Sequence, residues 1–227
     1  MTRLLSLETS TSICSAAIHQ DGKLLAWREI REPRSTASQL AVIVDAIMKE
    51  SATEPAMLSG IVVTSGPGSY TGLRIGVATA KGICVALNIP LIAISTLDLL
   101  AIQGKTMIAD TNALLCPMLD ARRMEVYCKV VDFNLNEIEA TQAKIIDVNS
   151  FSNYLENTPV YFMGEGATKC RTIFTHPNAK FLDEVTPDSV QLGEIGFQKW
   201  LQHNFEDIVT FEPYYLKDFL IRKPTTV

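Results

Sequence analysis

Two stretches of this 227-residue chain repeat one order of residue periodicities, and that order constrains the fold more than any other feature. In the first stretch Leu4–Leu7, Ile13–His19 and Lys23–Ile30 read as three successive strands, with Asp21-Gly22 as a tight hairpin turn between the last two. Over 36–50 the apolar residues Leu40, Ile43, Val44 and Ile47 recur with the period of a helix. Ile61-Val62-Val63 then reads as a buried strand, followed by a helix from about Thr71 to Asn88. A strand over 91–94 and a helix opened by the N-cap candidates Ser95 or Thr96 complete the set. The second stretch predicts strands over 114–119, 124–132 and 139–146, a helix near 150–156, a strand over 160–163, a short helix over 167–174, a strand over 180–182 and a long helix over 189–203.

The duplication extends to chemistry, because each first strand ends in a carboxylate: Leu7-Glu8-Thr9-Ser10 and Leu119-Asp120-Ala121-Arg122. Two lobes built this way set two acids facing one another across a cleft. That is the layout of actin, the sugar kinases and acetate kinase. The expected class is therefore α/β, a two-lobed actin-like ATPase (ASKHA, ribonuclease H-like) fold with duplicated βββαβαβα units. Residues 1–103 form the expected N-terminal lobe, 104–205 the C-terminal lobe, and 206–227 a segment returning to the first. The length suffices for two lobes of roughly 100 residues each.

Composition narrows the function. Lys and Arg number 20 against 25 Asp and Glu, a formal charge of −5, with no basic run. An independent nucleic-acid binder needs a basic footprint, so any RNA contact is expected to require a partner. Arg28, Arg31 and Arg34, and Lys217, Arg222 and Lys223, read as solvated faces. The five cysteines (Cys14, Cys84, Cys116, Cys128, Cys170) lie far apart with no C-x-x-C pair, which argues for reduced thiols. His19, His176 and His203 are scattered, with no spacing for a metal, and are expected to be surface or half-buried residues. Neither a signal peptide nor a membrane span is expected, so the chain reads as cytoplasmic.

Gly66-Pro67-Gly68-Ser69-Tyr70-Thr71-Gly72 lies between a buried strand and a helix, where backbone N–H groups can meet an anion. It is neither a P-loop nor a dinucleotide fingerprint. One reading is a weak nucleotide cleft formed by Glu8, Thr9, Ser10, Gly66, Gly68 and Asp120; the other is a tight connection or a partner contact. The helix that follows carries only Arg74 and Lys81 as charges, with Gly72, Gly76 and Ala80 spaced by four on one face. Such a helix must be covered on more than one side. The earlier helix adds a second apolar strip, Val42 and Ala46. Together the two read as an intersubunit bundle, the alternative being that they cover a sheet and one another. The expected partner interface comprises Leu40, Ile43, Val44 and Ile47 of the first helix and Tyr70, Leu73, Arg74, Gly76, Val77 and Ala80 of the second.

The run from Ile61 through Gly76 to Gly82 closely resembles the signature of the TsaB (YeaZ-like) family. Supporting pieces are Leu7-Glu8-Thr9-Ser10-Thr11, the run from Leu119 to Tyr127, Gly164-Glu165-Gly166-Ala167 and Glu212-Pro213-Tyr214-Tyr215-Leu216. The resemblance implies a partner of TsaD, the catalytic paralogue that transfers a threonylcarbamoyl group to the tRNA adenosine beside the anticodon. It also implies homodimers when the chain is alone, TsaE as a third protein, and tRNA reached only through the complex. Catalytic TsaD-like chains carry a paired-histidine metal motif on the first helix. The corresponding Thr36-Ala37-Ser38-Gln39-Leu40 has no histidine, so neither a catalytic residue nor a metal is expected here, and a protease role is discounted likewise. No cofactor is required on this reading, ATP or ADP at a subunit interface being the one expectation left open. The rival readings are an independent actin-like ATPase or phosphotransferase and a homodimeric structural protein.

Overall fold

A computed structural model describes residues 1–32 and 36–217. Strands β1 (Arg3–Glu8), β2 (Cys14–Gln20) and β3 (Lys23–Ile30) lead into helix α1 (Thr36–Glu50), β4 (Gly60–Gly66), α2 (Tyr70–Leu87), β5 (Leu91–Ser95) and α3 (Thr96–Lys105). The same sequence of elements recurs as β6 (Leu114–Asp120), β7 (Glu125–Val131), β8 (Glu137–Ile145), α4 (Ser152–Leu155), β9 (Val160–Met163), α5 (Glu165–Thr168), β10 (Ala179–Leu182) and α6 (Ser189–Leu201). Each half makes one five-stranded sheet, ordered β3-β2-β1-β4-β5 and β8-β7-β6-β9-β10. In both, the first three strands are antiparallel neighbours and the last two run parallel to the first. This duplicated topology is the actin-like, ribonuclease H-like fold. Among the described residues no helix is long and apolar enough to cross a membrane.

Local chemistry places the elements. Asp21 and Gly22 both take positive φ (50° and 78°), the backbone that a tight hairpin between right-twisted strands requires. Ser69, Ser95 and Asp188 cap α2, α3 and α6, accepting from Gly72 N (3.2 Å), Asp98 N (3.4 Å) and Gln191 N (2.8 Å). Asn88 ends α2 in the left-handed region at φ 54°. The first sheet is covered on one face by α1 and α2, through Leu40, Ile43, Ile47, Val77, Ala80 and Cys84, and on the other by α6, through Leu192 on Leu4, Val62 and Ile92. Helix α3 joins the lobes: Leu99 packs into the α6 layer, while Leu97, Leu100 and Ala101 pack on Leu115, Leu119 and Met163 of the second sheet.

Several expectations need correcting. Helix α6 lies within 104–205 in sequence, yet it packs on the first sheet, because its apolar side meets Leu4, Val62 and Ile92. His19 is not near the surface but 1% exposed, since β2 is a central strand under α6 and Gly193 leaves room for the ring; a Cβ there would lie 2.2 Å from Nδ1. Burial lowers its pKa to about 4, so it stays neutral. The helices expected over 150–156 and 167–174 shorten to Ser152–Leu155 and Glu165–Thr168, with turns continuing each. Arg34, Arg222 and Lys223 lie outside the described residues. Arg28 and Arg31 do sit on an exposed face, paired with Glu50 (3.1 Å) and Glu29 (2.7 Å).

The returning segment is tied down as far as it is described. Glu206 bridges to Leu91, Lys81 Nζ donates to the Phe211 carbonyl (2.9 Å), and Tyr214 N donates to the Ser65 carbonyl (2.7 Å). Beyond these, the Tyr215 ring meets Tyr70 at 4.9 Å and Lys217 pairs with Glu125 of the second lobe.

The glycines of α2 have opposite surroundings. A Cβ on Gly72 would fall 2.0 Å from the Thr9 carbonyl oxygen, and one on Gly76 would fall 2.2 Å from Thr9 Oγ1; one on Gly82 would meet nothing within 4 Å. Alanine is the better helix former at all three sites by about 1 kcal/mol. At Gly72 the clash is with backbone and outweighs that gain. Gly72→Ala is therefore expected to lower the urea midpoint, at a net cost on the order of 1–3 kcal/mol, whereas Gly82→Ala should raise it by up to about 1 kcal/mol.

Candidate functional site

The loop after β1 is built around its own acid. Glu8 is fully buried, and its Oε1 accepts from both the N–H (2.7 Å) and the hydroxyl of Ser10. This folds Thr9 and Ser10 back onto the start of α2, where the glycines receive them. The Ser10 carbonyl accepts from Ser69 N at 2.6 Å, and a Cβ on Gly68 would come within 2.2 Å of that same oxygen. On the other side of the turn, a Cβ on Gly66 would lie 2.9 Å from the Tyr214 carbonyl oxygen. The chain's own backbone thus occupies the room that side chains at Gly66 and Gly68 would need. The Ser69 hydroxyl accepts from Gly72 N and the Ser69 carbonyl from Leu73 N, so two of the first N–H groups of α2 are bonded within the chain.

The two strand-end carboxylates have different surroundings. Burial pushes the Glu8 pKa up to about 7, against the lowering pull of the Ser10 and Thr64 hydroxyls and the Ser10 N–H, and the Asp188 carboxylate adds to the rise. Its Oε2 has no hydrogen-bond partner among the described residues. Asp120, by contrast, is exposed; it accepts from Arg122 N (2.8 Å) and pairs with Lys169. Its negative neighbour is Glu165, whose pKa is raised first by burial and then by Asp120. Nearby lies a cavity of about 380 Å³ at the carboxyl ends of β4 and β5, lined by Ser65, Gly66, Ser95, Asp98, Lys129 and Tyr214 among others. Lys129 is held there between Asp98 (2.8 Å) and Glu137 (3.3 Å), leaving two carboxylates for one ammonium. Of the residues expected in a nucleotide cleft, Glu8, Thr9, Ser10 and Gly68 come together at the start of α2, Gly66 lies against the Tyr214 carbonyl, and Asp120 stands on the second sheet, paired with Lys169. Asp188, Lys129 and Lys169 were beyond sequence reasoning, because their partners come from other elements.

The partner-interface expectation divides in two. Leu40, Ile43, Ile47, Leu73, Gly76, Val77 and Ala80 are buried inside the protomer, facing the first sheet and the Thr9 loop. The strongest apolar period of a helix marks its core side, and that is the side the spacing selected. Val44 and Tyr70 are half-buried, and Arg74 is exposed. The face left outward is the second one: Ala41 and Val42 on α1, and Ala78, Gly82, Val85 and Ala86 on α2, with Val42 56% and Val85 68% exposed. Gly82 was legible in the sequence as a second small-residue step, offset by half a turn from Gly72, Gly76 and Ala80.

The linkage of Glu8 to stability has a definite sign. Its folded pKa, about 7, exceeds the ordinary value of 4.5, so the protonated form favours folding fully below pH 4.5, and this is lost as pH rises through 7. The loss is on the order of 3 kcal/mol. Gln preserves the acceptor for Ser10 and does not ionise. Chemical denaturation of Glu8→Gln should show a stability relative to wild type that improves by that order between pH 5 and pH 8; a difference independent of pH would show that the buried acid does not titrate this way.

Comparison with known proteins fits this geometry. Residues 33–221 match the family model TsaD: tRNA N6-adenosine threonylcarbamoyltransferase. The "tRNA threonylcarbamoyladenosine biosynthesis protein TsaB" of Haemophilus influenzae is 26% identical over 95% of this chain and 93% of its own length. The Bacillus subtilis protein of the same name is 30% identical over 71% of this chain and 70% of its own. A Pseudomonas aeruginosa structure described as similar to peptidase YeaZ superposes with a TM-score of 0.79 at 22% identity, covering 96% of this chain and all of that one. With a family model spanning most of its length and a relative 30% identical over more than two thirds of it, the chain belongs to the TsaB (YeaZ-like) group of the tRNA N6-adenosine threonylcarbamoyltransferase family.

Proposed function

We propose that this chain is a non-catalytic subunit that docks on the catalytic TsaD paralogue through the outer faces of α1 and α2, and so favours the active form of that enzyme in threonylcarbamoyl transfer to tRNA. The names of the relatives support the pathway. One observation supports the docking face: Gly82 sits inside a helix, costs about 1 kcal/mol relative to alanine, and meets nothing in its own protomer. Flanked by Ala78, Val85 and Ala86, it makes a shallow groove that lets a second helix approach closely. The contribution is binding energy rather than bond-making, since docking shifts the partner only toward the conformation it contacts better. On this reading a second copy covers the face when TsaD is absent, TsaE joins the pair, tRNA is reached through the complex, no cofactor is required, and the protein works in the cytoplasm.

A steric plug tests the reading without disturbing the core. Gly82→Trp should keep or raise the urea midpoint, because tryptophan is the better helix former and the space is open. It should weaken binding to TsaD by about 2 kcal/mol or more, roughly 30-fold, and lower modification in a reconstituted assay in proportion. Unchanged affinity would remove the outer face from the interface. ATP turnover by the purified chain, abolished by Asp120→Ala, would instead favour the phosphotransferase reading.

A further inference from the structure

We propose that the protein docked on α1 and α2 presents a carboxylate to Arg74, and that this pair selects the heterologous partner over a second copy of this chain. The inference rests on the reading of that face given above. Arg74 stands at one end of the outer stripe of α2 that continues through Ala78, Gly82 and Val85. Its guanidinium lies 4.1 Å from the centroid of the Tyr70 ring, which is in turn backed by Tyr215 at 4.9 Å. A guanidinium held over an aromatic ring still has N–H donors to offer, and a carboxylate can accept from two of them at once.

Other cations on or beside these helices are already answered. Lys49 pairs with Asp45 at 2.7 Å, Arg28 with Glu50 at 3.1 Å, and Lys81 donates to the Phe211 carbonyl. Among the described residues the Arg74 guanidinium has neither an ion pair nor a hydrogen bond. A partner helix laid along Ala78, Gly82 and Val85 would cover this charge, and covering an unpaired guanidinium is strongly unfavourable. The partner must therefore bring the anion.

A second copy is the poorer source. In a twofold contact the same face meets itself, and the acids beside that face, Asp45 and Glu50, are engaged by Lys49 and Arg28. RNA is poorer still, because the stripe around Arg74 is uncharged and the chain carries −5. The chemistry fits a protein helix with an apolar face and one Asp or Glu at its edge.

The test measures dissociation constants of Arg74→Met and Arg74→Glu for the TsaD paralogue, with the urea midpoint as folding control and Gly82→Trp alongside. Met keeps the stem over Tyr70 and removes only the charge. It should weaken binding by at least about 30-fold, chiefly through faster dissociation, and Arg74→Glu should weaken it further. Changing one partner carboxylate to Lys should restore affinity to Arg74→Glu alone. If both Arg74 variants bind normally while Gly82→Trp does not, the face stands and the ion pair is wrong. If Gly82→Trp also binds normally, the docking face itself is wrong. Loss confined to self-association in sedimentation, or to tRNA affinity, would place the anion on a second copy or on phosphate and overturn the proposal.

Discussion

The seating of Thr9 and Ser10 against the small residues at the start of α2 is the contact on which the rest of this molecule depends. Gly68 and Gly72 bring the helix within reach of backbone carbonyls, Gly76 admits the Thr9 side chain, and the buried Glu8 holds the loop in place by accepting twice from Ser10. A glycine turn running into a helix N-terminus, which could meet an anion, is here packed against the chain's own Ser10 and Tyr214 carbonyls. The same contact fixes the rotation of α2. With Gly72, Gly76 and Ala80 turned inward, Arg74, Ala78, Gly82 and Val85 must turn out.

That rotation sets the inner and outer faces of α2 together: the glycines that receive the Thr9–Ser10 loop face inward, and the opposite stripe is left in solvent. The strap formed by 206–217 holds that arrangement. It ties α2 through Lys81 and Phe211, holds the end of β4 through Ser65 and Tyr214, and reaches the second lobe through Lys217 and Glu125. On the docking role proposed above, a surface held in this way loses little conformational freedom when it is covered.

Much of the architecture was legible in the residues. The duplicated order of elements, the Asp21-Gly22 turn and the Ser95 cap are local signals, and local signals survive into the fold. Less of the site was. Periodicity identifies the greasiest side of a helix, and in a protomer with its own sheet that side is already occupied; Leu40, Ile47 and Val77 were therefore chosen for the wrong neighbour. Glu8 and Asp120 share a position in the repeat, but tertiary packing buries the first, whereas the second stays exposed and pairs with Lys169 from another element. Nor could spacing reveal which glycines on α2 are filled. That depends on a loop sixty residues upstream, about which a helical wheel is silent.

The central claim is that the outer, not the inner, faces of α1 and α2 carry the association. It is tested most directly by solving the structure of this chain bound to its TsaD paralogue and reading the exposure of two side chains. Val42 and Val85, 56% and 68% exposed in the free protomer, should fall to near complete burial, while the Thr9–Ser10 loop keeps its place on Gly72 and Gly76. A complex in which both valines remain in water, or in which the loop lifts away to admit a nucleotide, would contradict the account.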